Sequence, residues 1–221
     1  MAKIAIDGPA GAGKSTIARA VAKQLGWIYV DTGAMYRAAG LAALRKNISI
    51  SRDHEAVENM LPTLDIQLGY ENGVQRIFLQ GEDVSEAIRS PEASLAASDI
   101  SAIGAVRKAL LSKQQEIAER TNVVMDGRDI GTVVLPDAQV KLFITASPHA
   151  RAQRRWKELS EKGKQVPFEQ VLKEMEYRDE QDSSRAVAPL KMADDAVLVD
   201  TSKLTLEESI ERVMEIIRER L

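Results

Sequence analysis

Short apolar runs alternate along this chain with stretches in which apolar residues recur every three or four positions. Runs of the first kind are typical of buried parallel strands, and five occur, at residues 3–7, 27–31, 123–126, 140–144 and 196–200. The periodic stretches between them are typical of amphipathic helices. This order predicts an α/β fold, a doubly wound five-stranded parallel sheet with helices on both faces.

Capping and breaking residues mark the ends of the periodic stretches. Gly26 ends the first stretch, and Gly104 separates two others. Ser90-Pro91 and Ser147-Pro148 each combine a capping hydroxyl with a proline suited to the first helical turn. The predicted helices cover about residues 16–25, 34–45, 51–62, 90–103, 105–120, 147–162, 168–183 and 205–220.

The pattern changes in the middle of the chain. Residues 65–70 and 74–79 largely alternate between apolar and polar side chains around Asn72-Gly73, which is the strongest short-range signal of a β-hairpin. A third strand is predicted near Val84. An antiparallel hairpin in a βα chain indicates an inserted subdomain. The sequence therefore predicts a single domain over residues 1–221, with a core at about 1–62 and 99–221 and an insert at about 63–98.

The composition is that of an ordinary globular protein and narrows the chemistry. With 44% apolar and 29% charged residues and a net charge of −3, the chain has no global attraction to nucleic acid. It contains no cysteine, which excludes disulfides, thiolate metal sites and a cysteine nucleophile. Its two histidines, His54 and His149, have no metal-ligand spacing. The sequence opens directly into a strand and has no run of membrane-spanning length, so we expect a cytoplasmic protein without a membrane partner.

Residues 8–15 match the phosphate-binding P-loop, in which a glycine and four further residues precede Gly-Lys-Ser. They stand between a predicted strand and a predicted helix, as this motif requires. Glycines let the backbone turn its N–H groups toward phosphate oxygens, Lys14 can reach the terminal phosphates, and the Ser15 hydroxyl suits Mg²⁺. The residues predicted to bind a nucleoside triphosphate are Gly8, Pro9, Ala10, Gly11, Ala12, Gly13, Lys14, Ser15 and Thr16.

Two polar clusters follow predicted strands, at the ends where ligands gather in parallel sheets. Residues 126–129, Asp-Gly-Arg-Asp, follow the third parallel strand, where P-loop proteins carry a Mg²⁺-linked acidic residue. Asp126 could serve in that role or only cap a turn. At residues 31–37, Thr32 and Arg37 can bind a phosphate, although a Thr-Gly turn near an arginine is also common in structural roles.

A third charged cluster lies at residues 178–185. On a helix, Arg178, Asp182 and Arg185 would share one face because they are spaced i, i+4 and i+7. The same spacing is typical of a solvated ladder of ion pairs, which contributes only tenths of a kcal/mol per pair. The spacing alone favours that structural interpretation.

A P-loop accompanied by scattered arginines suits phosphoryl transfer between two phosphate-bearing substrates. A phosphate acceptor with a second pKa of about 6 is already a nucleophilic dianion at neutral pH, so it needs no general base. The absence of a placed histidine or cysteine fits that chemistry. Catalysis would consist of holding two anions in line and neutralising their charge with Mg²⁺, Lys14 and arginines.

Taken in order, these motifs resemble those of the bacterial cytidylate kinase family, the CMP/dCMP kinases of the P-loop nucleoside monophosphate kinase superfamily. The matching stretches are residues 6–15, 31–37, 79–84, 126–134 and 178–190, which run over nearly the whole chain. The resemblance implies transfer of the γ-phosphoryl group of ATP to CMP or dCMP with Mg²⁺ as cofactor, held at Ser15 partly through water and the nucleotide. It also implies a five-stranded core with an enlarged monophosphate-binding insert and a mobile lid at about residues 151–164.

The same resemblance implies roles for single residues. Lys14, Arg128, Arg178 and Arg185 would be catalytic. Cytosine would be read by Ser98, Arg107 and Asp129, ribose would be held by Asp182 with Arg178 or Arg185 near it, and the acceptor phosphate would meet Thr32, Arg37 and Arg128. Some members have serine at the position of Thr32, whose added methyl group could alter how ribo and deoxy substrates sit. Each lid arginine could contact ATP or be a surface charge: Arg151, Arg154 and Arg155.

Other functions remain open at this point. The chain could be a P-loop kinase of another monophosphate, UMP or AMP, or of a small metabolite such as shikimate. The predicted hairpin insert and residues 178–189 speak against a metabolite kinase. A non-enzymatic nucleotide switch or nucleic-acid-binding module would usually have a basic surface, which the net charge of −3 does not support. We expect a monomer whose partners are ATP and CMP or dCMP.

Overall fold

The computed structural model describes residues 1–71 and 73–221. The strands are β1 (Lys3–Asp7), β2 (Ile28–Asp31), β3 (Ile66–Glu71), β4 (Val74–Leu79), β5 (Glu82–Asp83), β6 (Val123–Asp126), β7 (Val140–Thr145) and β8 (Val197–Asp200). The α-helices are α1 (Lys14–Leu25), α2 (Thr32–Arg45), α3 (His54–Met60), α4 (Pro91–Ser101), α5 (Gly104–Arg120), α6 (Pro148–Glu161), α7 (Phe168–Ser184) and α8 (Leu206–Arg220). Short 3₁₀ turns occupy Leu61–Thr63 and Ala87–Arg89, and a π-helical turn occupies Ile130–Val134.

The chain divides into two compact units. The first unit consists of Met1–Tyr29 and Thr121–Leu221, and the second unit is Val30–Arg120. The first contains the P-loop and the charged clusters at residues 126–129 and 178–185. The insert predicted at residues 63–98 and the lid predicted at residues 151–164 keep their status as predictions.

Among the described residues, five parallel strands form one sheet in the order β2-β6-β1-β7-β8. The central strand is β1, with Ile4 opposite Val124 of β6 and Val140 of β7. Ile4 and Ile6 pack on one face with apolar residues of α1 and α8. Because side chains alternate along a strand, Asp7 points to the opposite face. The predicted α/β class and five-stranded parallel sheet are confirmed.

The second unit contains an antiparallel sheet in the order β3-β4-β5. Strands β3 and β4 pair from Ile66 opposite Leu79 to Glu71 opposite Val74, which confirms the predicted hairpin. Asn72, part of the predicted turn, lies outside the described residues. The third strand, β5, ends one residue before the predicted position, and apolar residues of this sheet pack with α2, α4 and α5 to form the core of the unit.

Hydroxyl side chains begin three of the helices. Ser90 and Ser147 each accept a hydrogen bond from the backbone N–H three residues on, at 3.0 and 3.2 Å, and each is followed by a proline. Thr205 and Glu208 form a reciprocal capping box at the start of α8. These three helix starts agree with the sequence prediction. No helix in the described part of the chain is both long enough and apolar enough to span a membrane.

Candidate active site

The P-loop connects the end of β1 to the start of α1. Gly8 has a backbone φ of 142°, and a Cβ built on it would lie 1.9 Å from the carbonyl oxygen of Ile144. Gly13 precedes α1 with a φ of 89°, a conformation that residues other than glycine rarely adopt. Both positions therefore require glycine. The loop leads directly into the N-terminal end of a helix, which favours a bound anion.

Lys14 is the first residue of α1, and its side chain is buried. Its Nζ donates a hydrogen bond to the carbonyl oxygen of Pro9 at 2.7 Å, so the side chain folds back over the loop. Burial and the positive charge of Arg128 lower the pKa of Lys14 to about 7, against the opposing effect of nearby carboxylates that include Asp126. An anion bound at the loop would stabilise the protonated ammonium group.

Asp126 is the last residue of β6, and its side chain contacts the P-loop. Its carboxylate oxygens accept hydrogen bonds from the hydroxyls of Ser15 and Tyr29, each at 2.8 Å. Asp126 therefore does more than cap a turn. Tyr29 has no local sequence signal, because it meets Asp126 across 97 positions of the chain. A hydroxyl and a carboxylate side by side are ligand types that Mg²⁺ prefers.

A cavity of about 360 Å³ opens beside the P-loop. Its walls are formed by Gly11, Gly13, Lys14, Ser15, Thr16, Arg154, Arg155 and Glu158. Two arginines of α6 thus face the loop. Arg154 also donates to the hydroxyl and carbonyl oxygens of Thr201, at 3.1 and 2.6 Å, and Arg155 pairs with Glu158 at 2.8 Å. The cavity supplies the cationic groups and helix N-terminus that the phosphates of a nucleotide require.

Arg151 differs from these two arginines because its guanidinium group is buried against the P-loop. It donates to the carbonyl oxygens of Ala10 and Ala146, at 3.0 and 2.9 Å. It also donates to both carboxylate oxygens of Asp179 in α7, at 3.1 and 2.5 Å. A planar guanidinium group can make such bidentate contacts in a fixed geometry. Arg151 therefore ties the P-loop to α7.

The loop after β6 forms ion pairs with the end of α7. Arg128 donates to Asp182 at 2.6 Å, and Arg185 lies 3.6 Å from Asp129 and 4.0 Å from Asp182. Burial alone would raise the pKa of Asp182, but Arg128, Arg185 and Arg178 hold it below its usual value. Burial likewise opposes the charge of Arg128, yet Asp182 raises the pKa of that guanidinium above its usual value. The first unit therefore brings all five of these charged groups together.

Arg185 does not share a helical face with Arg178 and Asp182, because it lies beyond the end of α7, which the sequence predicted at about residue 183. Helix α7 ends at Ser184, and Arg185 has extended backbone angles, with φ −61° and ψ 141°. Its Nε donates to the carbonyl oxygen of Ala188 at 2.6 Å, directly before a proline that cannot continue a helix. Arg185 therefore reaches Asp129 from the turn after the helix.

The second unit holds the two residues predicted to meet the acceptor phosphate from α2. Thr32 is buried at the start of that helix. Arg37, less than two turns further on, donates to the carboxylate of Asp31 at 2.7 Å. Asp31 also caps the helix by accepting the N–H of Ala34 at 2.9 Å. The carboxylate thus connects the start of the helix to Arg37 and limits the positions of its guanidinium group.

Two predicted cytosine-binding residues also belong to the second unit. The Oγ of Ser98 in α4 is buried, and among the described residues no atom makes a hydrogen bond with it. Arg107 of α5 donates to the carbonyl oxygen of Ser101 at 3.2 Å and lies over the ring of Tyr36 at 5.3 Å. The sequence motif contained Tyr36 without indicating this contact. A buried hydroxyl without a partner is destabilising by about 1–3 kcal/mol, so a ligand atom at Ser98 would be favourable.

Several known proteins are similar to this chain over nearly its full length. The family model described as cytidylate kinase matches residues 4–219. A cytidylate kinase of Caldanaerobacter subterraneus subsp. tengcongensis is 56% identical, covering 98% of this chain and 94% of that protein. A cytidylate kinase of Caldicellulosiruptor bescii is 51% identical, covering 96% and 94%. Among solved structures, an uncharacterized protein from Eubacterium ventriosum covers both chains completely with a TM-score of 0.57. At 12% identity, that likeness concerns the fold alone.

Proposed function

Because the chain belongs to the cytidylate kinase family, we propose that it transfers the γ-phosphoryl group of ATP to CMP, giving CDP and ADP. The structural observation that carries this proposal lies in the first unit. There the P-loop residue Lys14 is within electrostatic reach of both Arg128 and Asp182. Lys14, which the P-loop motif assigns to the phosphoryl donor, thus feels the charges of Arg128 and Asp182, which the family resemblance assigns to the acceptor.

In this proposal the acceptor needs positioning and charge neutralisation rather than a base. The phosphate of CMP has a second pKa of about 6, so at neutral pH it is largely a dianion and attacks as the nucleophile. An oxygen of CMP bonds to the γ-phosphorus while the bond from that phosphorus to the departing ADP oxygen breaks. Lys14 would bind the transferred group, and the charge that two anions bring together would be offset by Arg128, Arg178 and Arg185.

Mg²⁺ fits the residues present at this site. The Ser15 hydroxyl and the Asp126 carboxylate lie 2.8 Å apart, and they would hold the ion directly or through water together with the nucleotide. When bound, the ion would supply positive charge that offsets the negative charge of the ATP phosphates. In the described part of the chain no group of three or more acidic or histidine side chains is arranged to hold a metal, so the nucleotide and water would supply most ligands.

We assign recognition of the base to Ser98, Arg107 and Asp129, as the family resemblance implies. Cytosine offers an amino donor at N4 and acceptors at N3 and O2, which a carboxylate and an arginine can pair. UMP lacks the N4 donor and would leave a carboxylate facing a carbonyl group. The buried Ser98 hydroxyl supports this assignment. On the same ground we assign ribose to Asp182 with Arg178 or Arg185, and the acceptor phosphate to Thr32, Arg37 and Arg128.

We assign the phosphates of ATP to the P-loop and to Arg154 and Arg155, which line the cavity beside it. Arg151 is assigned a supporting role, because its guanidinium group already binds Ala10 and Asp179. The proposal extends to dCMP as a second acceptor, to a monomeric protein and to a cytoplasmic location.

Product analysis tests the proposed function. The purified protein is incubated with ATP, Mg²⁺ and one acceptor at a time: CMP, dCMP, UMP, AMP, GMP or shikimate. We expect equimolar CDP and ADP from CMP, with kcat/KM for CMP at least about tenfold above that for UMP. A Lys14→Met variant purified in the same way controls for contaminating kinases. ATP binding without turnover, or a preference for another acceptor, would contradict the proposal.

A further inference from the structure

Asp7 is a buried carboxylate that no step of the proposed reaction uses. It is the last residue of β1, stands immediately before the P-loop, and is 4% exposed. One of its oxygens accepts a hydrogen bond from the N–H of Ile130 at 2.8 Å, and the other accepts from the N–H of Gly131 at 2.7 Å. Both oxygens are therefore used by the backbone of the loop that follows β6.

This loop is held to β1 at both of its ends. At its start, the N–H of Gly127 donates to the carbonyl oxygen of Ile6 at 3.0 Å. At its far end, Asp7 binds the first two N–H groups of the π-helical turn Ile130–Val134. The N–H groups at the start of a helical turn have no partner within the turn, so an external acceptor is needed. Arg128 and Asp129 lie between the two attachments.

We propose that Asp7 is a positioning residue for the acceptor nucleotide, because its two hydrogen bonds fix the backbone that presents Arg128 and Asp129. The inference rests on the proposed function, in which these two residues bind the phosphate and the base of CMP. Asp7 touches neither substrate. Its effect passes through the peptide groups of Ile130 and Gly131.

A carboxylate at this position is explained by the number of N–H groups that it must bind. An ionised carboxylate accepts hydrogen bonds at both oxygens, whereas an amide or a protonated carboxyl group places hydrogen on one side. Burial raises the pKa of Asp7 to about 6, and Asp129 also raises it, while the two backbone hydrogen bonds and Lys14 of α1 lower it. The attachment is therefore complete above about pH 6 and weakens as Asp7 becomes protonated.

The P-loop has contacts of its own, so a change at Asp7 should act mainly on CMP. Gly8 is fixed by its close approach to Ile144, and Lys14 is bonded to Pro9. Neither contact involves the Asp7 side chain. A variant that loses one of the two hydrogen bonds of Asp7 should therefore raise the KM for CMP while the affinity for ATP stays nearly constant.

The first test compares Asp7→Asn with Asp137→Asn. Asp137 also interacts with β1, through Lys3 at 2.7 Å, but on the exposed surface. We expect Asp7→Asn to raise the KM for CMP about tenfold and to leave the Kd of ATP, measured without CMP, within about twofold. The control variant should match the wild type in both. An unchanged KM for CMP, or equal losses for CMP and ATP, would overturn the inference.

The second test needs no turnover, and its deciding measurement uses the wild-type protein alone. In the wild-type protein without nucleotide, the backbone amide NMR signals of Ile130 and Gly131 should shift together with a midpoint near pH 6. In Asp7→Asn that joint titration should be absent. Amide signals of the wild type that do not respond to pH would overturn the inference even if the variant fails to fold. If the amides titrate but the wild type does not phosphorylate CMP, the proposed function is wrong, whereas the attachment of the loop by Asp7 is supported.

Discussion

Lys14 carries its positive charge in a place that water reaches poorly. Its Nζ donates a hydrogen bond to a carbonyl oxygen of the P-loop, and Arg128 is a like charge nearby. Burial and Arg128 lower the pKa of Lys14 to about 7, so most Lys14 side chains are neutral at about pH 8. A bound triphosphate reverses this balance, since its negative charge favours the ammonium form.

We therefore expect ATP binding at about pH 8 to be accompanied by uptake of up to about one proton. Calorimetry in buffers with different ionisation enthalpies measures this uptake directly. Lys14→Arg keeps the charge on a group that does not titrate in this range, so the uptake should disappear in that variant. Equal binding enthalpies for the wild-type protein in all buffers would show that Lys14 is already protonated.

Asp7 gives a second prediction, about stability. Burial raises its pKa from 3.8 to about 6, so the folded protein binds more protons than the unfolded chain between these values. Stability from this residue therefore falls as pH rises through that window, by about 3 kcal/mol in total. Relative to wild type, Asp7→Asn should gain about 2 kcal/mol in free energy of unfolding between about pH 4.5 and pH 7.5. Urea denaturation at both pH values checks this, and a constant difference would contradict it.

Among the helices, α7 contacts both an arginine that binds the P-loop and an arginine proposed to bind the acceptor. Asp179 binds the buried Arg151, which holds Ala10 of the P-loop, and Asp182 binds Arg128 of the loop after β6. The two aspartates are three residues apart, so they lie on neighbouring positions of one helix. The position of α7 is thus set by Arg151, which binds the P-loop, and by Arg128, which we propose binds the acceptor phosphate.

Removing the negative charge of Asp179 tests this connection. Asp179→Asn leaves Arg151 buried with an incomplete partner, so we expect a loss of about 2 kcal/mol in free energy of unfolding and a several-fold higher KM for ATP. Glu215→Gln is the matched control, because Glu215 pairs with Arg212 at 3.0 Å on the exposed side of α8. That change should cost less than about 0.5 kcal/mol. Equal, small effects of both substitutions would contradict the role of Asp179.

Local sequence patterns predicted the ends of helices better than they predicted turns that are stabilised by residues far away in the sequence. Ser90 and Ser147 cap helices as predicted, because the capping signal is contained within four residues. The π-helical turn Ile130–Val134 was not predicted. Its first N–H groups bind Asp7, 123 and 124 positions away, so no local pattern could indicate it. The hydrogen bond from Arg185 to the carbonyl oxygen of Ala188 was not predicted either, although the end of α7 near residue 183 was.

For the whole molecule, the alternation of strands and helices predicted the parallel sheet, and the motif at residues 8–15 predicted the P-loop, but neither predicted the strand order. Placing β1 between β6 and β7 brings Asp126 to Ser15 across 111 positions. Tyr29 reaches the same carboxylate and was missed, since pairing of distant strands leaves no periodicity in the sequence. Among the three arginines of the predicted lid, only the packed structure distinguishes Arg151 from the two that line the P-loop cavity.

We propose that this protein phosphorylates CMP with ATP and selects its base through Asp129. The most direct measurement is the ratio of kcat/KM for CMP to that for UMP, in the wild type and in Asp129→Ala. An Asp194→Ala variant, changed at an exposed residue, serves as the control. We predict that the wild type favours CMP, that Asp129→Ala lowers the ratio at least about tenfold by raising the KM for CMP, and that the KM for ATP changes little. A wild type that prefers UMP, or an unaltered ratio in Asp129→Ala, would contradict the claim.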